Sequence, residues 1–527
     1  PSMIAMRGAF ISGGVEWNAG PQVHTVTIVS PVDVIPGRNS DGSAYLEINN
    51  LEKTLRTRWT VRLTLHPGKS YLDETIRLYN PVDAMNPYYF WNCTAQPQGD
   101  DTRFIYPMSL ATDHNGVKYF SWPIHEGKDW SWLKNHDIWT SIFAYQCEYD
   151  FFGAYHVNKN RGVVQVANRY ELPGKKAWTW GTWEYGLVSQ TNLTDEDGPY
   201  IEVQSGPLPT QSDYGWLIPR QQVSWQEWWF PVHDLGDGFE YATRDLAIQR
   251  EQHGDEIRFR MIATGEFPAA SCTMHQQNSL LLEKKLDLTP QNAQVISLKN
   301  SSGEPIELSI QTQDGQILAH YVSPLPIPAV ATPSDNRFWE KTDAELTLEE
   351  TCLKGEILDR ATNRPQAREY YNKCLAQDPL HRKALFGLAV LDFEAGQYVA
   401  AREYLQKALQ RKPNDDDGLC WYFLGMCQYR LGQYRQALSC GYQTARCPGM
   451  ESLGCDLAGR ACLNLHDYEN CLSLFQKAVS ADSTDTTAHD HLLLALYAHG
   501  DRNLAITEAN HRMEQRPTDL VPRAILA

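Results

Sequence analysis

The sequence predicts a multidomain chain of unlike parts: a large antiparallel β-sandwich, a small β-module and a C-terminal all-α repeat solenoid. Three observations carry this. Up to about residue 325, short runs alternate apolar and polar residues, as in TRWTVRLTLH (57–66), the two-residue period of a half-buried strand. Beyond residue 347, similar helical segments recur every 34 or 35 residues, and a fixed period of that length marks a stacked array. Finally, 14 of the 16 Trp precede residue 230 and 9 of the 12 Cys follow residue 350, so the two halves draw on different cores.

Strand patterns include AYLEINNL (44–51), SYLDETIRLYN (70–80) and WTSIFAYQCEY (139–149). Turn clusters separate them, among them NSDG (39–42), HPGK (66–69), LPGK (172–175) and GDG (236–238), with no long helical pattern between. This combination predicts an antiparallel sandwich over 1–254. EIRFRMIA, SLLLEKKLDL, IELSIQT and QILAHYV place a smaller β-module at 255–323, and PLPIPAVATPSD opens a proline-rich linker over 324–346.

In the helical part, 347–527, Pro379, Pro413, Pro448 and Pro517 end similar segments, and Ser483 stands where one more proline is due. Each unit holds two helical patterns around a turn, as at Gly396. Proline stops the second helix because it lacks an N–H and clashes with the preceding turn. Trp421, Leu424 and Gly425, then Tyr434 and Ala437, with Ala401, Leu405 and Ala408 before and Phe475 and Ala478 after, resemble the tetratricopeptide repeat. That resemblance implies a superhelix that binds a protein or peptide, or serves self-association. No cluster of Lys or Asn marks a peptide-carboxylate clamp. The cysteine pairs 420/427, 440/447 and 455/462 are seven apart. Zinc sites use closer spacing, so buried reduced thiols and no metal or other cofactor are expected.

The formal net charge is −17, with 47 Lys+Arg against 64 Asp+Glu, which argues against nucleic acid as a partner. The first 347 residues carry 27 basic and 41 acidic residues, and the remainder 20 and 23. Most of the charge therefore sits in the sandwich, consistent with a neutral ligand. No apolar run is long enough to cross a membrane, and the start PSMIAMRGAF lacks a secretory pattern. A cytoplasmic protein without a membrane partner is expected, read as interrupted at both ends.

The runs AFISGGVEWNAGPQVHT, YFWNCTAQPQGDDTRFIYP and YIEVQSGPLPTQSDYGWLIP, followed by SWQEWWFPV, resemble the DUF5107 family over roughly residues 1–260. Members of that family commonly precede tetratricopeptide repeats. The resemblance implies a galactose-mutarotase-like β-supersandwich, a fold used by sugar epimerases and many glycoside-active enzymes. Ser12-Gly13-Gly14 stands where mutarotases place a histidine before two glycines, and Pro87 near Tyr89-Phe90 where they place a second. Ordinary sugar epimerisation is therefore the least favoured activity.

Sugar sites pair aromatic faces, which stack on the C–H face of a pyranose, with carboxylates and amides that take the hydroxyls. Glu202, in YIEVQSGP, is read as the first catalytic carboxylate, with a strand-surface residue the competing reading. Glu16 follows two glycines and is read as its partner, against an exposed loop residue. Glu227, between Trp225 and Trp228, is the third; burial would raise its pKa toward that of a general acid, and a structural hydrogen bond is the alternative. His24, Trp91, Asn92, His125, Trp130, Trp180 and Gln204 are the substrate-binding candidates, although most Trp are expected in the core. HExxH, Walker A, dinucleotide-fold glycine and G-x-S-x-G patterns are missing from the sequence, which disfavours those enzyme classes. The expected function is carbohydrate-active: a glycoside hydrolase acting on an oligosaccharide or glycoside with paired carboxylates. The alternative is a non-catalytic glycan-binding scaffold.

Overall fold

The computed structural model describes residues 13–20, 30–193, 198–299, 303–334, 341–410 and 417–527. Two antiparallel sheets form the first domain. One has seven strands, in the spatial order Val15–Ala19, Phe90–Pro97, Tyr200–Gly206, Gly174–Thr179, Thr140–Ala144, Leu110–Thr112, Tyr119–Ser121. The other has eight, in the order Asp33–Arg38, Ala44–Leu51, Arg58–Leu65, Leu72–Tyr79, Gln222–His233, Arg161–Ala167, Phe151–His156, Thr102–Ile105. Successive side chains on a strand face opposite ways. Ile142, Ala177, Ile201 and Val203 from the first sheet thus meet Phe104, Phe152 and Trp229 from the second in one buried core. This leaves Glu16, Cys93, Lys176, Glu202 and Gln204, on the other parity of their strands, on the outer face of the seven-stranded sheet.

One element departs from the expectation of strands alone: Glu184–Leu193 is a helix. Its exposed side mixes Tyr185, Leu187 and Val188 with Glu184, Thr191 and Asn192, so apolar and polar faces do not separate and no amphipathic period marks it. Two four-stranded sheets follow, packed around Ile248, Phe259, Met261, Cys272, Leu308 and Ile310. The boundary expected at 254 falls in the turn of a hairpin, because Leu246–His253 pairs with Glu256–Ala263 in register. The sheet of this module starts at Tyr241–Ala242.

Helices fill the rest in antiparallel pairs, from Leu348–Arg360 with Arg364–Gln377 to Thr486–His499 with Arg502–Gln515, then Leu520–Leu526. The turn inside each of the five pairs holds one residue with positive φ: Thr362, Gly396, Gly432, His466 and Gly500, spaced 34, 36, 34 and 34 apart. The repeat period is therefore written in backbone conformation as well as in sequence. Cys420, Cys427, Cys440, Cys455 and Cys462 are buried between helices. The solenoid packs on the sandwich: Arg58 bonds Asp519 at 3.0 Å, Tyr79 donates to Asp485 at 2.9 Å, and Arg516 donates to Gln222 at 2.7 Å. Among the described residues no helix is long and apolar enough to cross a membrane.

Candidate functional site

Five residues in register cross the outer face of the seven-stranded sheet: Glu16 opposite Cys93, Cys93 opposite Gln204, Gln204 opposite Lys176, and Lys176 opposite Phe143. Glu202, two residues before Gln204, shares this face and accepts a hydrogen bond from the Gln204 amide. Gln211, from the loop after the strand, donates to Gln204 Oε1 at 3.4 Å and accepts from Lys176 Nζ. His114 reaches the same face, its Nδ1 lying 3.2 Å from Ser141 Oγ. An aromatic wall closes one side: Trp139 stacks on Trp178 with centroids 5.8 Å apart, and Trp180 meets Trp178 edge-on at 5.2 Å.

The charges on this face act on one another. Burial raises the Cys93 thiol well above its usual value, and the neighbouring Glu202 and Glu16 carboxylates push it further. Burial lowers Lys176 to about 8, against the opposing pull of Cys93 and Glu202. A lysine at that value exchanges protons near neutrality and also serves as a cation. Tyr200, raised by burial and then by Glu202, lies beside them. The face thus offers two carboxylates, an ammonium, two amides, a histidine and a tryptophan wall.

Of the residues expected from sequence, Glu16, Glu202 and Gln204 share this face with Trp180. Trp91 points the same way but is fully buried, its ring edge-on to Phe143 at 5.4 Å, so it forms floor rather than a stacking surface. Glu227 and Asn92 lie on the opposite side, between the sheets, both with no exposure. Glu227 accepts from Asn92 at 3.2 Å, Gln165 at 2.9 Å, Ser205 at 2.6 Å, Trp225 at 3.2 Å and Trp229 at 3.1 Å. Trp225, Glu227 and Trp229 share one face of their strand, which is why the carboxylate follows the indoles inward. Glu227 and Asn92 are therefore placed away from the outer face, Asn92 donating to Glu227, and burial raises the Glu227 carboxyl as expected. His125 and Trp130 belong to the hairpin beyond Tyr119–Ser121. That edge is four strands from Tyr200–Gly206, about 19 Å at the usual strand spacing. There His125 packs on Phe120 and Trp130, and Trp130 on His136. His24 lies outside the described residues.

Lys176, Gln211, His114 and Tyr200 were not picked out by sequence. The one signal was parity: in GKKAWT the second lysine alternates with the tryptophan of the same face. A grouping of metal-ligand type joins Cys352 and Cys374 of the first helix pair to His381 at the start of the next, with ligand atoms within 4.8 Å of one another. Burial pushes the Cys352 thiol up to about 12, and His381 Nδ1 accepts the Ala384 N–H as a helix cap.

Residues 2–232 match the family described as a domain of unknown function, DUF5107; residues 241–321 match the second domain of YphG-like proteins, and 352–416 a tetratricopeptide repeat. Among solved structures, a TPR-domain containing protein from Parabacteroides distasonis is 16% identical, with a TM-score of 0.41 over 97% of this chain and 76% of that one. A putative aldose 1-epimerase from Klebsiella pneumoniae is 12% identical, with a TM-score of 0.31 over 42% of this chain and 64% of that one. YrrB, a TPR protein with an unusual peptide-binding site, is 17% identical, with a TM-score of 0.31 over 36% and 97%. Residues 2–232 thus match the DUF5107 family, in a chain that goes on to match the second domain of YphG-like proteins and then a tetratricopeptide repeat.

Proposed function

We propose that the outer face of the seven-stranded sheet is a carbohydrate site and that the chain acts on a glycoside there. The observation that carries the reading is the shared face itself. Glu202 and Glu16 stand with Lys176, Gln204 and Gln211 beside the Trp139–Trp178–Trp180 wall. Indole faces hold a pyranose by its C–H side, while amides and charges take its hydroxyls. In the hydrolytic reading, one carboxylic acid protonates the leaving oxygen and the other carboxylate activates water or attacks the sugar carbon. Glu202 and Glu16 are assigned these roles, with the Lys176 ammonium acting electrostatically on Glu202.

A non-catalytic, sugar-binding reading is favoured by one specific feature. Glu202 is only 9% exposed and is held by Gln204, which suits a carboxylate that fixes a ligand rather than one that moves a proton. The full chain assayed with aryl glycosides and oligosaccharides separates the two. Turnover that is lost in Glu202→Gln while binding persists supports hydrolysis. Binding without turnover, weakened by Glu202→Gln, supports the scaffold. No binding to any sugar by the folded protein refutes both.

A further inference from the structure

The repeat helices that contact the sandwich carry a clamp that sequence did not show. Tyr422 and Arg430 come from Gly418–Arg430, and Arg460 from Glu451–Asn464. All three converge on one carboxylate of the sandwich, Asp83, in the loop after Leu72–Tyr79. Tyr422 donates to Oδ1 at 3.0 Å. Arg460 spans both oxygens, Nη1 to Oδ1 at 3.1 Å and Nη2 to Oδ2 at 3.2 Å, and Arg430 lies 3.5 Å from Oδ2. A planar guanidinium matched to both carboxylate oxygens is specific as well as strong.

The contact is reciprocal. Arg220 of the sandwich reaches Asp83 at 2.7 Å and approaches Asp456 of the repeats at 3.6 Å. Asp456 is fully buried and bonded to His491 at 2.6 Å. Apolar packing surrounds the cluster: Met85, Trp216 and Ile218 of the sandwich join Leu385, Phe386 and Phe423 of the repeats. Burial opposes ionisation of Asp83, yet Arg220 and Arg460 hold it well below the usual carboxylate range.

We propose that Tyr422, Arg430 and Arg460 form a carboxylate-recognising site whose resident ligand is Asp83 of the same chain. The repeats then clasp their own sandwich, and an outside acidic peptide reaches these three side chains only by displacing Asp83. This is independent of any sugar chemistry on the opposite sheet.

The test uses the full chain and a labelled tetra-aspartate peptide as probe. Asp83→Ala vacates the clamp and binds the peptide at least tenfold more tightly than the unaltered protein. Adding Arg460→Ala removes the gain. Should Asp83→Ala fail to fold by circular dichroism, Asp83→Asn keeps the shape, drops the charge, and is required to show the same ordering. Equal peptide binding by the unaltered chain and the folded Asp83 variant overturns the proposal, as does a gain that survives loss of Arg460.

Discussion

Replacing Glu227 with glutamine separates a structural carboxylate from a catalytic one. Five donors converge on its two oxygens: Asn92 spans both, Trp225 bonds Oε1, and Gln165, Ser205 and Trp229 bond Oε2. A glutamine must turn an NH2 toward one of these sets. Turned toward the Oε1 side, it strands only the Trp225 indole, since Asn92 keeps its other acceptor. One orphaned buried donor costs about 1–3 kcal/mol, and bonds to a neutral oxygen are weaker than bonds to an ionised one. Relief comes from Glu74, directly opposite in register, whose carboxyl is held well above its usual range by burial and by the Glu227 charge. The net expectation is a loss of about 2–4 kcal/mol from the sandwich, with unchanged sugar binding. Urea unfolding followed by tryptophan fluorescence reads this directly, because Trp225 and Trp229 are themselves partners. The midpoint falls while the slope holds, the mark of a stability change without a change in the exposed surface. A Glu227→Gln protein as stable as the original but unable to bind or turn over a glycoside would refute the reasoning.

Two other substitutions test the site and the repeats. Lys176 has its folded pKa lowered to about 8 from 10.5, so the unfolded chain binds more protons between those values and stability from this group rises as pH climbs through them. Lys176→Met removes that rise, worth about 3 kcal/mol, and the difference between the pH–stability curves of the two proteins isolates it from the tyrosines that titrate nearby. His466 occupies with φ +61° the turn position that glycine fills in three other repeats. His466→Gly relieves a left-handed side chain and raises stability by about 1 kcal/mol in thermal unfolding; an unchanged or lower value would count against strain at that turn.

The repeats were legible because their signals are local. Proline at a helix end and glycine at a left-handed turn act within a few residues, and their recurrence reports the solenoid without tertiary information. Strand patterns were legible for the same reason. The helix Glu184–Leu193 was not, because Tyr185, Leu187 and Val188 stand among polar residues on its outer side and blur the period. The clamp around Asp83 was equally invisible, since its cationic members are spread over positions 220, 430 and 460. Only the docking of two domains brings them together.

The site was half legible, and strand parity explains which half. A two-residue period sorts Glu202 with Gln204 and Glu16 with Asn18, but leaves open which face looks inward. Around Glu227 the information was present. Trp225 and Trp229 stand two residues to either side, whereas Trp228, one residue away, faces the opposite direction. Two indoles sharing parity with a carboxylate point toward the interior, where an unexposed carboxylate needs donors, and those two indoles supply them. Lys175 and Lys176 make the complementary case. An adjacent lysine pair reads as solvated surface, yet one residue faces each side of the strand and both are nearly unexposed. What buries Lys175 is the opposing sheet, and what covers Lys176 includes the Gln211 loop. Both are long-range partners, and a buried lysine beside Glu202 is therefore a product of the fold rather than of its local sequence.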